Sequence, residues 1–128
     1  MLAIIQARFS SKRLRGKVLK KINKRTLLER VVNKISNCRN VSKIVVATSD
    51  KQSDDKIYNF CKKKNIECFR GNLNNVYNRF FCLLESVKKK SFIRICADSP
   101  FIDSNLIDYS INFYKKNNYK IKTNIFPR

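Results

Sequence analysis

The side chains most able to do chemistry in this chain lie in one loop near its amino terminus. An apolar run at the start of the chain opens into residues 8–17, which carry five cationic side chains. Arginine offers a planar fork that matches phosphate oxygens, and lysine offers a mobile charge. Phosphate oxygens need such donors because leaving them unpaired away from water is costly. We therefore predict that this loop binds a nucleotide triphosphate, and the alternative is an ordinary basic surface loop. The predicted donors are Arg8, Ser10, Ser11, Arg13 and Lys17.

A single carboxylate is the second feature with chemical potential. Asp98 comes directly after a predicted buried strand, in a chain with only nine acidic residues. Mg²⁺ prefers hard oxygen ligands and often takes one or two protein carboxylates together with phosphate oxygens and water. We predict that Asp98 binds Mg²⁺, which would neutralise charge at the attacked phosphorus; the alternative is a turn or helix cap. Asp103 is predicted to cap the next helix instead.

A third group of candidates follows the predicted strand at 66–69. Gly71 permits a tight turn or the close approach of a ligand, and Asn72 could read the edge of a base. Arg70 precedes them, and Arg79 lies in the next predicted helix. Arg79 could reach back to the same pocket or pair on the surface near Glu85. No Walker A or G-x-G-x-x-G loop is present, so the cations must contribute more than the backbone.

Strand and helix patterns alternate from one end of the chain to the other. Residues 43–48 are β-branched and apolar on both faces, which is typical of a central parallel strand. The alternation predicts an α/β layer fold with a mostly parallel sheet. The predicted strands are 2–7, 43–48, 66–69, 91–97 and 119–124, and the predicted helices are 27–38, one opening at 53–55 and closing at 62–64, 74–90 and 104–117. Because ligands bind beyond the carboxyl ends of parallel strands, loops 8–19, 70–75 and 97–103 should meet at one site.

Helix starts and buried faces can also be predicted. Thr26 and Glu29 fit a capping box before the first helix. Ser53 fits a cap at the start of the second, followed by the acids Asp54 and Asp55 at the positive end of its dipole. Apolar spacing gives the faces that should be buried. In the third and fourth helices the predicted buried residues are Val76, Phe80, Phe81, Leu84, Val87, Leu106, Ile107, Ile111 and Tyr114.

Composition limits the class of protein. At 128 residues the chain is one domain or less. Its net charge of +20 favours polyanions, namely nucleotides, nucleic acid or anionic membranes, although no nucleic-acid-binding signature or membrane-spanning apolar run appears. The five cysteines form no C-x-x-C pair and the chain has no histidine, which excludes a Cys/His zinc site. Reduced thiols and a cytoplasmic location are expected.

Several of these motifs resemble one known family. Residues 4–19, IIQARFSSKRLRGKVL, are similar to the I-I-Q-A-R-M-S-S-T-R-L-P-G-K-V-L signature of the sugar-acid cytidylyltransferases, or CMP-sugar synthetases, of the spore-coat-polysaccharide type. Residues 45–50, 69–71, 76–80 and 94–103 resemble further motifs of that family. The resemblance runs the length of the chain.

The resemblance implies a Rossmann-like, three-layer, GT-A-type nucleotide-diphosphosugar transferase fold. It implies transfer of CMP from CTP to a sugar or sugar acid for surface polysaccharide synthesis, with release of pyrophosphate and with Mg²⁺ as cofactor. Arg8, Arg13, Lys17 and Asp98 would be the catalytic residues, with Asp98 holding the metal. The implied nucleotide-binding residues are Gln6, Ala7, Arg8, Ser10, Ser11, Arg13, Lys17, Arg70, Gly71, Asn72, Arg79 and Ala97.

The resemblance also implies that residues 1–128 are the nucleotide-binding part of a single cytidylyltransferase domain. Family members continue beyond this length into a part that carries a second metal-binding acid, most of the sugar pocket and the element for a homodimer. The chain is therefore expected to be truncated at its carboxyl end. An inactive nucleotide-binding remnant or interaction module is the alternative, and a basic nucleic-acid-binding domain is a further one. No membrane partner and no specific nucleic acid are expected.

Overall fold

Strands and helices alternate along the chain, as the sequence predicts. A computed structural model describes residues 1–10, 14–117 and 120–123. Two short 3₁₀ turns, Lys17–Leu19 and Gln52–Asp54, lie in loops after strands. The other elements are β1 (Leu2–Gln6), β2 (Lys21–Ile22), β3 (Arg25–Thr26), α1 (Leu27–Ser36), β4 (Lys43–Ser49), α2 (Asp55–Lys63), β5 (Cys68–Gly71), α3 (Val76–Ser86), β6 (Phe92–Cys96) and α4 (Ser104–Asn117).

Four strands form the main sheet in the order β5-β4-β1-β6. Every pairing in it is parallel, and Ile5 of β1 faces Val46 of β4 on one side and Ile95 of β6 on the other. The predicted mostly parallel α/β sheet is thus confirmed. Because the four strands run the same way, their carboxyl ends share one edge.

Helices cover both faces of this sheet, which gives three layers. Ala3 and Ile5 pack with buried residues of α1, α2 and α4 on one face. Leu2 and Ile4 pack on the other face against Phe80 and Leu83 of α3. This alternation along β1 is the two-residue period of a strand buried on both sides. No helix in the described part of the chain is long and apolar enough to span a membrane.

The third helix is shorter than the predicted 74–90. The side chain of Asn75 accepts a hydrogen bond of 2.8 Å from the backbone N–H of Asn78 and so caps the helix start. At the other end Lys88 has a φ of 52°, which is outside the helical region. The lysines at 88–90 therefore follow α3 instead of forming its last turn.

Two predicted core residues point outward. Phe81 is 50% exposed and stacks on Tyr77 along the outer side of α3, whereas Leu83 is buried. Leu106 is 48% exposed, whereas Ile107 is buried. The prediction was wrong because each helix packs on the sheet along a narrower apolar stripe than its sequence offers.

The strand after α2 begins two residues later than predicted. Asn65 has a φ of 54° and continues the turn at the end of the helix, and β5 then runs from Cys68 to Gly71. Arg70 and Gly71 are therefore the last residues of a strand, where the sequence placed them in the following turn. This shift matters for the site because both residues become part of the sheet edge.

The predicted last strand and one hairpin also differ from expectation. Residues 120–123 form no strand, and residues 119 and 124 lie outside the described ranges. A small hairpin, β2–β3, was not predicted. Its turn residues Asn23 and Lys24 have φ values of 47° and 68°, as a two-residue type I′ turn requires. The second turn residue is lysine and not the glycine that usually marks a type I′ turn, so nothing in the sequence signalled it.

Candidate active site

The carboxyl edge of the sheet collects the predicted site residues. Beyond the strand ends, the N–H of Ala7 donates to the carbonyl of Ala47 at 3.0 Å, and the N–H of Ala97 donates to the carbonyl of Gln6 at 3.0 Å. These bonds extend the β4–β1–β6 pairing by one residue. Both alanines are buried, so their methyl groups bring the two loops together without filling the space above them.

The first loop and the loop after β6 meet through an ion pair. Lys17 Nζ lies 3.2 Å from Asp98 Oδ2, and the two side chains are 41% and 47% exposed. The prediction that these two loops meet is confirmed. An exposed ion pair of this kind contributes about 0–1 kcal/mol. Lys17 and Asp98 are therefore held together weakly enough to be separated by a triphosphate and a cation.

The base of the first loop is fixed by Phe9 and Gly16. The N–H of Gly16 donates to the carbonyl of Phe9 at 2.9 Å, which closes the loop between them. Gly16 has a φ of +68°, and a Cβ on it would lie 2.8 Å from the Phe9 ring. Only glycine combines this backbone with this contact at low cost. The two ends of the cationic loop are therefore joined at a closed base.

Arg70 is engaged mainly by the protein. Its Nε donates to the carbonyl of Ser49 at 3.0 Å, and its Nη2 donates to the carbonyl of Lys51 at 2.9 Å. The same Nη2 lies 2.7 Å from Asp55 Oδ1. Arg70 therefore fixes the loop after β4, a role that sequence analysis did not predict for it.

Arg79 has unsatisfied donors in a buried position. It is 1% exposed, and its Nη1 donates to the carbonyl of Asn72 at 2.9 Å. Its Nε and Nη2 are buried and have no hydrogen-bond partner among the described residues. Buried donors are costly when they lack an acceptor. Of the two predicted placements, Arg79 adopts the one at the β5 exit and not the one near Glu85.

Gly71 leaves room for the side chain of Arg79. A Cβ on Gly71 would lie 2.9 Å from Cγ of Arg79 and 3.2 Å from Cε1 of Phe69. The glycine therefore lets the arginine stem lie directly over the end of β5.

Electrostatics link this arginine to the first loop. Burial lowers the pKa of the Arg79 guanidinium, and the positive charge of Arg8 lowers it further. The carboxylates of Asp54 and Asp50 act in the opposite direction. Arg8 and Arg79 are far apart in sequence, yet Arg8 lies close enough for its charge to act on the Arg79 guanidinium. Because β5 pairs in parallel with β4, the third predicted loop leaves the same edge of the sheet as the first.

The remaining predicted residues differ in their placement. Gln6 accepts a hydrogen bond of 2.9 Å from Arg94 through Oε1, and Ser10 is exposed. Asn72 Oδ1 accepts from the N–H groups of Asn74 and Asn75 at 2.9 and 2.8 Å, so its oxygen serves the turn. Ser11 and Arg13 lie outside the described residues.

Asp98 is the described residue best suited to a metal. Its half-exposed carboxylate offers hard oxygens at the sheet edge, which fits Mg²⁺ carried by a phosphate ligand. Asp103 is a helix cap, as predicted, because its Oδ1 accepts from the N–H groups of Asn105 and Leu106 at 2.7 and 3.0 Å. The described residues contain no cluster of three or more His, Cys, Asp or Glu side chains able to hold a metal.

Asp54 has a role that its position in the sequence did not indicate. Ser53 was predicted as the cap of α2 and Asp54 as an acid at the positive end of its dipole, but Asp54 itself occupies the N-cap position and its side chain makes no capping hydrogen bond to α2. Asp54 is fully buried and accepts hydrogen bonds from Phe9 and Ser49. The available signal was the pair of adjacent acids at the start of α2, where Asp55 already supplies the acid of the first turn.

A parallel sheet with cations and a carboxylate at its carboxyl edge is typical of α/β nucleotide-binding proteins. Within that class the chain belongs to the cytidylyltransferase family, whose model matches residues 2–126. This confirms the family that the sequence motifs resemble.

Relatives and a solved structure agree with this membership. The chain is 39% identical to the spore coat polysaccharide biosynthesis protein SpsF of Bacillus subtilis, over 87% of this chain and 48% of that protein. It is 32% identical to a 3-deoxy-manno-octulosonate cytidylyltransferase of Fusobacterium nucleatum, over 91% of this chain and 46% of that protein. A cytidylyltransferase structure from Leptospira borgpetersenii superposes with a TM-score of 0.84 at 28% identity, covering 91% of this chain and 49% of the other. The chain thus has the fold that the resemblance implies, and it spans about half the length of the curated relatives it matches.

Proposed function

We propose that this chain is the nucleotide-binding part of a cytidylyltransferase that transfers CMP from CTP to a sugar acid and releases pyrophosphate. The observation that carries the proposal is the meeting of Lys17 and Asp98, 3.2 Å apart, at the edge where the family's substrate would lie. A cation for the triphosphate and a carboxylate for its metal are thereby adjacent. Residues 1–128 would form this part of a single domain.

The proposed reaction needs positioning and charge neutralisation more than a protein nucleophile. A hydroxyl of the sugar attacks the α-phosphorus of CTP, a new oxygen–phosphorus bond forms, and the bond to pyrophosphate breaks. Arg8, Arg13 and Lys17 would bind phosphate oxygens and stabilise the negative charge that grows on the leaving pyrophosphate. Ser10 and Ser11 would add hydroxyl donors from the same loop.

Asp98 would hold Mg²⁺ in this arrangement. When bound, Mg²⁺ supplies Lewis-acid neutralisation of the phosphate charge. Asp98 would first have to leave Lys17, and Lys17 would then turn to the phosphates. The exposure of both side chains supports such an exchange, because a solvated ion pair costs little to separate.

The unsatisfied donors of Arg79 favour a nucleotide site on the β5 side of the edge. Its two unsatisfied donors, Nε and Nη2, need acceptors that the described residues do not supply. An oxygen of the nucleotide would satisfy them. Gly71 and Asn72 would line this part of the pocket, and Gln6, Ala7 and Ala97 would form its floor at the ends of β1 and β6. Arg70 would support this pocket by holding the loop after β4.

The names of the relatives indicate the substrate class and its use. The Fusobacterium relative is named for a sugar acid and the Bacillus relative for polysaccharide biosynthesis. We extend both to this chain as a proposal. All five cysteines are free thiols, which supports a reducing compartment such as the cytoplasm. A homodimer, as the resemblance implies, would need surface beyond these residues.

Titration with CTP tests the proposal directly. Thermal unfolding is followed at increasing CTP with Mg²⁺, and specific binding should stabilise the fold by RT ln(1 + [L]/Kd). Arbitrary duplex DNA, tested at several salt concentrations, is the control for non-specific binding by a chain of charge +20. A shift with DNA but none with CTP would reject the proposal.

Pyrophosphate release in the presence of candidate sugar acids then separates an enzyme from a remnant. Release that depends on the sugar acid shows turnover by this chain. Binding of CTP without release would show that this chain alone is a nucleotide-binding module.

A further inference from the structure

A buried carboxylate joins two loops at the carboxyl edge. Asp54 is fully buried. Its Oδ1 accepts the N–H of Phe9 at 2.7 Å, and its Oδ2 accepts the N–H of Ser49 at 3.1 Å. The hydroxyl of Ser49 also donates to Oδ2. One side chain, 45 residues after Phe9 in the chain, therefore ties the loop after β1 to the end of β4.

Such a carboxylate is expensive to bury unless its oxygens are satisfied. Three donors satisfy Asp54, and two of them are backbone amides whose positions depend on the path of the chain. None of these bonds starts the helix that Asp54 precedes. The carboxylate therefore serves the loops around it.

Asp54 holds Phe9 in place, and Phe9 anchors the start of the cationic loop. Phe9 donates its N–H to Asp54, accepts the N–H of Gly16 at 2.9 Å, and packs its ring against Gly16. Lys56 Nζ lies over the same ring, 5.1 Å from its centroid. Fixing Phe9 therefore also fixes the far end of the loop at Gly16. Arg8, next to Phe9, is oriented by the same bond.

We propose that Asp54 is a positioning residue for the nucleotide site, which fixes the base of the triphosphate-binding loop without touching the nucleotide. The inference rests on the proposed function, because it assigns the loop to CTP. A loop fixed before the ligand arrives loses less conformational freedom on binding and so binds more tightly. The amides of Phe9 and Gly16 should accordingly be protected from hydrogen exchange in the free protein.

Replacing the carboxylate tests this role. Asp54→Asn keeps the size of the side chain and one acceptor, but it turns an amide group toward the donors of Phe9 or Ser49. We expect CTP affinity in the presence of Mg²⁺ to fall about tenfold, as the loss of a hydrogen bond to a charged group implies. Exchange of the Phe9 and Gly16 amides, measured by NMR, should become faster.

Asp108→Asn is the matched control. Asp108 also accepts two backbone amides, from Arg39 at 2.9 Å and Asn40 at 2.8 Å. Asn40 in turn accepts from the amino group of Met1, so this contact lies at the opposite edge of the sheet. The control makes the same chemical change to a comparable contact. It should lower stability but leave CTP affinity and the exchange of the Phe9 amide unchanged.

The outcomes separate this inference from the proposed function. If the wild-type chain binds no CTP, the proposed function fails and the inference fails with it. If the wild-type chain binds CTP and Asp54→Asn binds it equally well, only the positioning role is rejected. Should Asp54→Asn not fold, exchange in the wild-type chain decides: protection of Phe9 and Gly16 without CTP supports the role, and protection that appears only with CTP overturns it.

Discussion

The two ends of the carboxyl edge are built differently. On one side Asp54, Gly71 and Arg79 lie close to the sheet, and both charged side chains are buried; we call this the buried side. On the other, Lys17 and Asp98 are half-exposed and held by one ion pair; we call this the exposed side. The side chains of Asp54 and Arg79 are fixed by hydrogen bonds to backbone groups, whereas the side chains of Lys17 and Asp98 hold each other.

This difference matches two tasks of a nucleotide site. Groups that orient a ligand gain from being fixed in advance. In the proposed function Asp98 and Lys17 would have to exchange partners, because they neutralise each other until a metal and a phosphate arrive. We therefore expect changes on the buried side to lower affinity, together with stability where they disturb packing or a satisfied carboxylate, and changes on the exposed side to alter affinity or turnover alone.

The largest effect should come from Asp98 on the exposed side. Asp98→Asn removes the charge that would hold Mg²⁺, so pyrophosphate release and the Mg²⁺-dependent part of CTP binding should fall by about 100-fold or more. Stability should stay the same, because the carboxylate is half-exposed. The measurements are turnover, CTP titration with and without Mg²⁺, and thermal unfolding.

Asp103→Asn in the same loop is the control for that change. Asparagine caps a helix as well as aspartate does, so this variant should keep both stability and the response to Mg²⁺. If CTP binding and pyrophosphate release by Asp98→Asn still depended fully on Mg²⁺, Asp98 would be only a cap or an ion-pair partner of Lys17.

Gly71→Ala tests the buried side through packing. The added Cβ would lie 2.9 Å from Cγ of Arg79, and overpacking of this kind typically costs about 1–3 kcal/mol. We expect the free energy of unfolding, measured with urea, to fall by that amount and CTP affinity to fall with it. Adding Arg79→Ala should then cost less than it does in the wild-type chain. If the stability costs of Gly71→Ala and Arg79→Ala simply added, the two residues would not compete for space.

Arg79→Met separates affinity from stability on the buried side. Methionine removes the buried donors Nε and Nη2, for which the described part of the chain offers no acceptor, so the free energy of unfolding should stay equal or rise by about 1 kcal/mol. CTP affinity should fall about tenfold, because the nucleotide would lose its partner. Arg39→Met, at an exposed arginine of the opposite edge, should change neither. Loss of stability without loss of affinity would make Arg79 a structural residue.

Lys17→Ala should have the smallest effect. An exposed ion pair contributes about 0–1 kcal/mol, so unfolding should hardly change. CTP affinity should fall about threefold at low salt and less at high salt, because salt screens exposed charges. Lys43→Ala breaks a matched exposed pair with Glu67 at 2.9 Å and should leave CTP binding unchanged. Equal effects of the two variants would indicate general charge attraction only.

Much of the fold follows from local sequence patterns. The apolar run at the start of the chain and the β-branched stretch at 43–48 became the two central strands, because a strand buried on both faces needs apolar residues at every position. Thr26 caps α1 as predicted, with its hydroxyl accepting the N–H of Glu29 at 3.1 Å. The type of these two strands and the start of α1 depend on neighbours in sequence, and they were predicted correctly.

Side-chain orientation at element surfaces was less predictable. Phe81 and Leu83 are both apolar and two positions apart, yet only Leu83 is buried. Which one faces the sheet depends on how α3 lies against β1 and β4, and that is a long-range property. The exposure of Leu106 has the same explanation. The late start of β5 is also a long-range property, because it is set by the pairing of β5 with Val46–Ser49.

For the site, the sequence determined the chemical groups and the tertiary structure decided their tasks. The spacing of the first loop and the position of Asp98 after a strand were sufficient to predict an anion site with a carboxylate beside it, because parallel strands bring their carboxyl ends to one edge. Only the folded chain showed that Arg70 fixes the β4 loop, that Arg79 is buried with unsatisfied donors, and that Asp54 joins Phe9 to Ser49. Hydrogen bonds between residues 21 and 45 positions apart depend on strand order and register, which local sequence does not encode.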